Sequence, residues 1–212
     1  AGVEKDFKDN IFFTPPSAGV AVMGVNIDRQ SYNHTSKTTD AQKSATKKAI
    51  LNKDFRQALN FAIDRTSYSA QINGKEGAPY AVRNTYVPPT FVQAGDKSFG
   101  DVVEEKVAAL GDEWKGVKLE DGQDGLFNAE KAKAEFAKAK AALQADGVEF
   151  PIHLDLPVAQ TAKPMVNRAQ SLKQSVEKTL GTENVVVDIQ QMSEDDLYNI
   201  TYYAPNAAGE DW

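Results

Sequence analysis

The side chains able to do chemistry are few and widely separated. The 212-residue chain has two histidines, His34 and His153, and no cysteine. Without thiols there is no disulfide, thiolate zinc site or cysteine nucleophile. Neither histidine has a ligand-type neighbour at the spacing of a helical or loop metal site, and His34 sits in a stretch of Ser, Thr and Asn. Neither a catalytic triad nor a zinc site is expected from them. Asp121-Gly122-Gln123-Asp124-Gly125 has the flavour of a calcium loop. It lacks the third acidic position and the distal bidentate Glu, and reads as a surface turn. No phosphate-cradling glycine loop or nucleophile elbow occurs. The expected list of cofactors and metals is therefore empty. Side chains suited to binding remain among the seven tyrosines, whose apolar rings and polar tips suit a groove for varied ligands.

Composition narrows the class. A hydrophobic fraction of 41% and a charged fraction of 25% are those of a folded globular protein. The net charge of −6 argues against nucleic acid as a partner, because phosphate binding needs a basic face. No stretch approaches the roughly 18 apolar residues of a membrane span. The chain opens without a signal segment and stops without a terminating element, as expected of a piece of a longer protein.

The elements that must position these residues follow from periodicity and caps. The apolar run 19–27 (GVAVMGVNI) predicts a buried strand, and the polar stretch 28–39 a surface loop. Asp40 is a candidate cap for a short helix over 41–50. Asn52 caps the clearest helix, in which Phe55, Ala58, Leu59, Ala62 and Ile63 form one stripe and Arg56 and Asp64 are placed to pair. Residues 73–100 hold four glycines and three prolines and read as a long loop. Asn128 opens an alanine-rich helix that ends at Gly147. The alternation of Phe150, Ile152, Leu154 and Leu156 predicts a strand over 148–158. A helix over 164–180, a strand over 185–189 and a helix capped by Ser193 complete the order. Helix–strand–helix–strand–helix favours an α/β layer with at least one parallel pair.

Residues 53–65 (KDFRQALNFAIDR), then Tyr86-Val87-Pro88-Pro89, then the alanine-rich helix ending in Asp146-Gly147, resemble in identity and order the family 5 solute-binding proteins, the oligopeptide- and dipeptide-binding proteins of ABC importers. The polar insertion ending in Lys53 and the stretch 111–128 (GDEWKGVKLEDGQDGLFN) resemble the streptococcal Ami/Ali-type oligopeptide-binding lipoproteins. The resemblance implies a Gram-positive, two-lobed protein of the type II periplasmic-binding-protein-like fold, closing on a peptide held between its lobes. Residues 1–212 would be a single α/β lobe, the second. The first lobe, the lipidated N-terminus and the C-terminal end, with its Trp-and-acidic stretch, would lie outside this chain. The implied partners are oligopeptides, the ABC permease membrane subunits and the missing first lobe, on the extracellular face of the cell membrane.

Site residues carry over from the same resemblance. The strand 17–23 matches one that faces the cleft with tyrosines, and offers Ser17, Gly19, Ala21 and Met23 in their place. Residues 155–163 match a ligand-meeting edge, which makes Asp155, Gln160 and Lys163 candidate polar contacts, with Lys163 suited to a peptide carboxylate. The helix from Ser193 matches one that carries a ligand-facing Trp, and here Tyr198, Tyr202 or Tyr203 takes that neighbourhood. Rival readings are a surface adhesin or peptide-signal receptor on the same fold, and a hydrolase, for which no nucleophile–base pair is present.

Overall fold

Local capping accounts for most of the helix boundaries in the computed structural model, which describes residues 6–12, 19–203 and 209–212. Helix α1, Asp40–Leu51, starts one residue earlier than expected. Thr39 is its cap, in a reciprocal box with Gln42. Asn52 then accepts from the Phe55 N–H and opens α2, Lys53–Ala62. Contacts divide the chain into two units, residues 1–22 with 64–127, and residues 23–63 with 128–212.

In the first unit, the expected long loop is only partly one. Asp64 caps α3, Arg65–Gly77, through the Ser67 N–H. A two-residue hairpin follows, β1 (Gln93–Ala94) with β2 (Lys97–Ser98), and leads into α4, Phe99–Ala108, capped by Ser98 and Asp101 as a box. Arg65 is the hub of this unit. Its backbone N–H and Nε donate to Asp124 at 2.6 and 3.0 Å, and its guanidinium also reaches the Arg83 carbonyl and Asn84. The turn 121–125 is thereby clamped by arginine, and Asp121 lies 3.8 Å from Arg83. Gly125 must be glycine, since a Cβ there would stand 1.5 Å from the Lys118 carbonyl oxygen.

In the second unit, α5 (Ala129–Ala145, capped by Asn128) packs on α2, with the Phe55 and Phe136 rings 6.2 Å apart. Strand β3, Ile152–Ala159, runs parallel to β4, Val185–Met192, in a register that sets Ile152 beside Val185 and Asp155 beside Asp188. Helix α6, Lys163–Leu180, makes the crossover and packs on both strands, burying Ala169, Leu172, Val176 and Leu180. Ile152, Leu154, Leu156, Val185 and Val187 form the apolar face of the pair. Pro157 does not break this ladder. The β3 residues that bond β4 are those of even number, and the missing proline N–H falls on the other edge. Helix α7, Glu194–Ile200, is capped by Ser193 and packs against β3.

Two expectations need correction. Residues 19–26 form no strand, and Val22, Met23 and Ile27 are exposed. A short apolar run does not by itself distinguish a buried strand from irregular chain. Arg56 and Asp64 go separate ways, Arg56 to the Ile50 carbonyl at 2.7 Å and Asp64 to its capping role.

Candidate functional site

The carboxyl end of a parallel strand pair is where open α/β sheets present ligands. Here the chain leaving the two strands carries Gln160, Lys163 and the tyrosines of α7 and the residues just after it. The β3 ladder continues one residue beyond the strand, the Gln160 N–H donating to the Met192 carbonyl at 2.9 Å. The chain then turns into α6. The turn leaves Gln160 and Lys163 exposed. From the end of β4, α7 leads to Tyr198, Tyr202 and Tyr203, which are 42%, 79% and 67% exposed. Their ring centroids lie 5.4 to 6.4 Å apart, Tyr202 standing edge-on to both others. Such mutual packing fixes three phenol-tipped rings on the surface at little rotamer cost.

Asp155 behaves differently from these. Its residue is 1% exposed, and both carboxylate oxygens are committed. Oδ2 accepts from Arg29 Nη1 at 2.6 Å, Thr35 Oγ1 at 2.5 Å and Lys37 Nζ at 2.7 Å. Oδ1 accepts from the Ser36 N–H and Oγ and from Gln190 Nε2, each at 3.0 Å. Burial alone would raise this carboxyl. The Lys37 ammonium, the Ser36 N–H and the Thr35 hydroxyl together outweigh that and hold it well below the ordinary carboxylate range. No atom of Asp155 is left to meet a ligand, so its assignment as a contact is corrected to that of a positioning residue.

The expected surface loop 28–39 is also corrected, because Arg29 and Lys37 are buried, at 6% and 3% exposure. Lys37 joins Asp155 to Asp211, and Arg29 Nη1 lies 3.1 Å from the same Asp211 oxygen. Asp211 also accepts the Asp155 N–H at 2.8 Å and returns its own N–H to the Asp155 carbonyl at 3.3 Å. Its carbonyl in turn accepts the Asn26 N–H at 3.0 Å. Two cations and two anions thus form a neutral buried group that ties the loop and residues 209–212 to the middle of β3. Arg29 also braces the loop through the Ser31 and His34 carbonyls and stacks 4.4 Å from the Tyr32 ring. Burial raises the Tyr32 hydroxyl, and Arg29 pulls against that shift.

The polar face of the pair continues through Ser36, whose Oγ reaches Asp155 and, at 2.7 Å, Asp188. His153 Nδ1 is 2.7 Å from the same Asp188 oxygen. Ser36 thus addresses carboxylates and not the imidazole, which is the wrong connectivity for a nucleophile–base pair. His153 also lines a cavity of about 470 Å³ between α1 and residues 147–151, at the amino end of β3. Among the described residues no group of three or more His, Asp and Glu is arranged to hold a metal. Of the remaining candidates, Ala21 and Met23 are exposed in irregular chain, and Ser17 lies outside the described residues. Arg29, Lys37 and Asp211 had no sequence signal, since their partners are more than fifty residues away.

Over 210 residues, 99% of this chain, it is 69% identical to the oligopeptide-binding protein AmiA of Streptococcus pneumoniae and likewise to the oligopeptide-binding protein SarA of Streptococcus gordonii. It is 63% identical over its whole length to the oligopeptide-binding protein AliA of S. pneumoniae. The chain spans about a third, 32%, of the length of these curated relatives. A solved substrate-binding domain of an oligopeptide ABC transporter from Bacillus anthracis is similar over 72% of this chain and 24% of its own, with a TM-score of 0.46 and 20% identity. The profile of the bacterial extracellular solute-binding proteins, family 5 (middle), matches residues 2–210, and the chain belongs to that family.

Proposed function

We propose that this chain is part of the second lobe of an extracellular oligopeptide-binding protein, the capture component of an ABC importer, and that it performs no chemistry itself. The observation that carries this reading is the family match over residues 2–210, joined to 69% identity with relatives named for oligopeptide binding. The longer protein would be held at the outer face of the membrane by a lipid anchor. It would close a first lobe onto this one around an extended peptide and hand that peptide to permease subunits. Among the described residues no helix is long and apolar enough to cross a membrane, so the chain has no described span of its own.

The physical basis for broad specificity is main-chain hydrogen bonding, which ignores side-chain identity, together with hydrated pockets. Gln160 and Lys163, exposed past the end of β3, would meet the peptide backbone and a terminal carboxylate. Tyr198, Tyr202 and Tyr203 would give side chains an aromatic wall with polar tips. Affinity would depend on closure, because only the closed state encloses the ligand, so half a cleft binds poorly.

Calorimetric titration of a mixed peptide pool into this chain and, in parallel, into the longer two-lobed protein tests the reading. Heat of binding is expected only with the longer protein. No binding by the longer protein across a peptide library would overturn the function. Tight binding by this chain alone would overturn the divided cleft.

A further inference from the structure

Among the described residues the outer edge of β4 pairs with no other strand. The β4 residues of even number bond to β3, so Val185, Val187, Ile189 and Gln191 direct their N–H and C=O groups outward. An edge of this kind is a template for strand addition. The hazard is greatest here, because Val185-Val186-Val187-Asp188-Ile189 is strongly β-prone and has one charge in five residues.

The first half of that edge is occupied by side chains. Val185 donates to the Gly181 carbonyl at 3.0 Å, within the turn from α6. The Val187 N–H donates to Glu177 Oε1 at 2.9 Å, and Lys173 Nζ donates to the Val187 carbonyl at 2.7 Å. Lys173 and Glu177 also bond each other at 2.6 Å. A carboxylate acceptor and an ammonium donor thus stand where the carbonyl and amide of a neighbouring strand would be. Farther along, the outward groups of Ile189 and Gln191 have no hydrogen-bond partner among the described residues.

Helix energetics do not account for this pair. Glu preceding Lys by four residues is the better order on a helix, and here Lys comes first. An acidic residue in the last turn and a half of α6 also opposes the helix dipole. The side chains are 31% and 14% exposed, more enclosed than an ordinary surface pair. Strand capping explains what helix stability does not.

We infer that Lys173 and Glu177 act as a strand surrogate, satisfying the Val187 backbone and so keeping the β4 edge from pairing with the β4 edge of a second copy of this chain. The pair is a positioning device, bonding each other and the Val187 backbone. Glu177→Ala removes the acceptor, whereas Glu177→Gln keeps a carbonyl oxygen at the same place. In the full chain, amide exchange at Val187 is expected to quicken at least about tenfold in E177A and to stay within about threefold of the parent in E177Q. Sedimentation should show concentration-dependent dimers for E177A and not for E177Q. Unchanged Val187 exchange in E177A would overturn the surrogate. Faster exchange with a chain that stays monomeric would overturn its guarding role. If E177A does not fold, judged by circular dichroism, Lys173→Met frees the carbonyl alone and is read by sedimentation. Dimers above the parent's level support the inference, and a monomer over the same range overturns it.

Discussion

Replacing Lys37 by methionine removes one of the two cations from a buried group of four charges and leaves the rest of the side chain's volume in place. The Lys37 side chain is 0% exposed, and those of Arg29, Asp155 and Asp211 are 3%, 1% and 3%. With lysine the group is neutral; with methionine two carboxylates face one guanidinium. Breaking a buried pair from one side costs about 3–5 kcal/mol, because the abandoned charge stays desolvated. Arg29 still contacts both carboxylates, which argues for the lower end, about 3 kcal/mol. For a chain of this size that lowers the melting temperature by about 6–12 °C.

The pH dependence gives the charge argument a signature that lost packing would not have. The folded-state pKa of Asp155 is depressed, so its stabilisation is present above the unfolded value and is lost as pH falls through the folded one. In K37M a carboxylate can protonate and relieve the excess charge. The deficit against the parent should therefore be largest near neutral pH and shrink below about pH 4. Trp212, buried beside Asp211, reports on this unit by fluorescence in denaturant, in a Trp114→Phe background that silences the other tryptophan. Asp211→Asn added to K37M restores neutrality and should recover part of the loss. A midpoint for K37M equal to the parent's, or a deficit of the same size in acid, would refute the reasoning.

Three further outcomes are expected. Glu210 is raised by burial, with its own backbone N–H and Arg29 acting the other way, so its ionised form costs stability that returns as pH falls. Glu210→Gln should thus melt slightly above the parent at neutral pH and converge with it in acid, as thermal melts over a pH series would show. Leu172→Ala, at 1% exposure between α6 and the strands, should cost about 2–5 kcal/mol in denaturant titration with the slope unchanged. In the longer protein, Lys163→Gln should weaken peptides with a free carboxylate about two- to fivefold, less at high salt, and spare amidated ones. Calorimetry showing equal losses for both peptide forms would remove Lys163 from carboxylate recognition.

What was legible in the sequence is what depends on neighbours in the chain. Asn52, Asn128 and Ser193 cap helices through N–H groups three residues on, so their meaning is local. The parallel pair followed from element order and the alternation of β3. Helix α3 was missed because it has no apolar stripe; its buried residues are Ser69, Gly74 and Gly77. Helix α4 did have a box signature in Ser98 and Asp101, but it lay among the glycines and prolines of 73–100. The run 19–27 misled because hydrophobicity without a register does not define a strand. Arg29 and Lys37 were unreadable for a different reason. Their partner Asp155 is 126 and 118 residues away, and a charge in a polar loop looks solvated until its partner is placed.

The charge group also explains how irregular chain can be held over a strand pair that it cannot pair with. Loop 28–39 contains no helix or strand and little apolar material with which to dock. Asp155 and Asp188 stand side by side on adjacent strands, a like-charge arrangement that is unfavourable by itself. Arg29, Lys37 and the Ser36 hydroxyl are what make it tolerable, and all three come from the loop. The strands therefore need the loop as much as the loop needs an anchor. Because each charge has one geometry that satisfies it, the loop is fixed in a single register, which apolar contact alone would not enforce. The middle of β3 is occupied by this mutual neutralisation. Past its carboxyl end, the turn into α6 leaves Gln160 and Lys163 exposed.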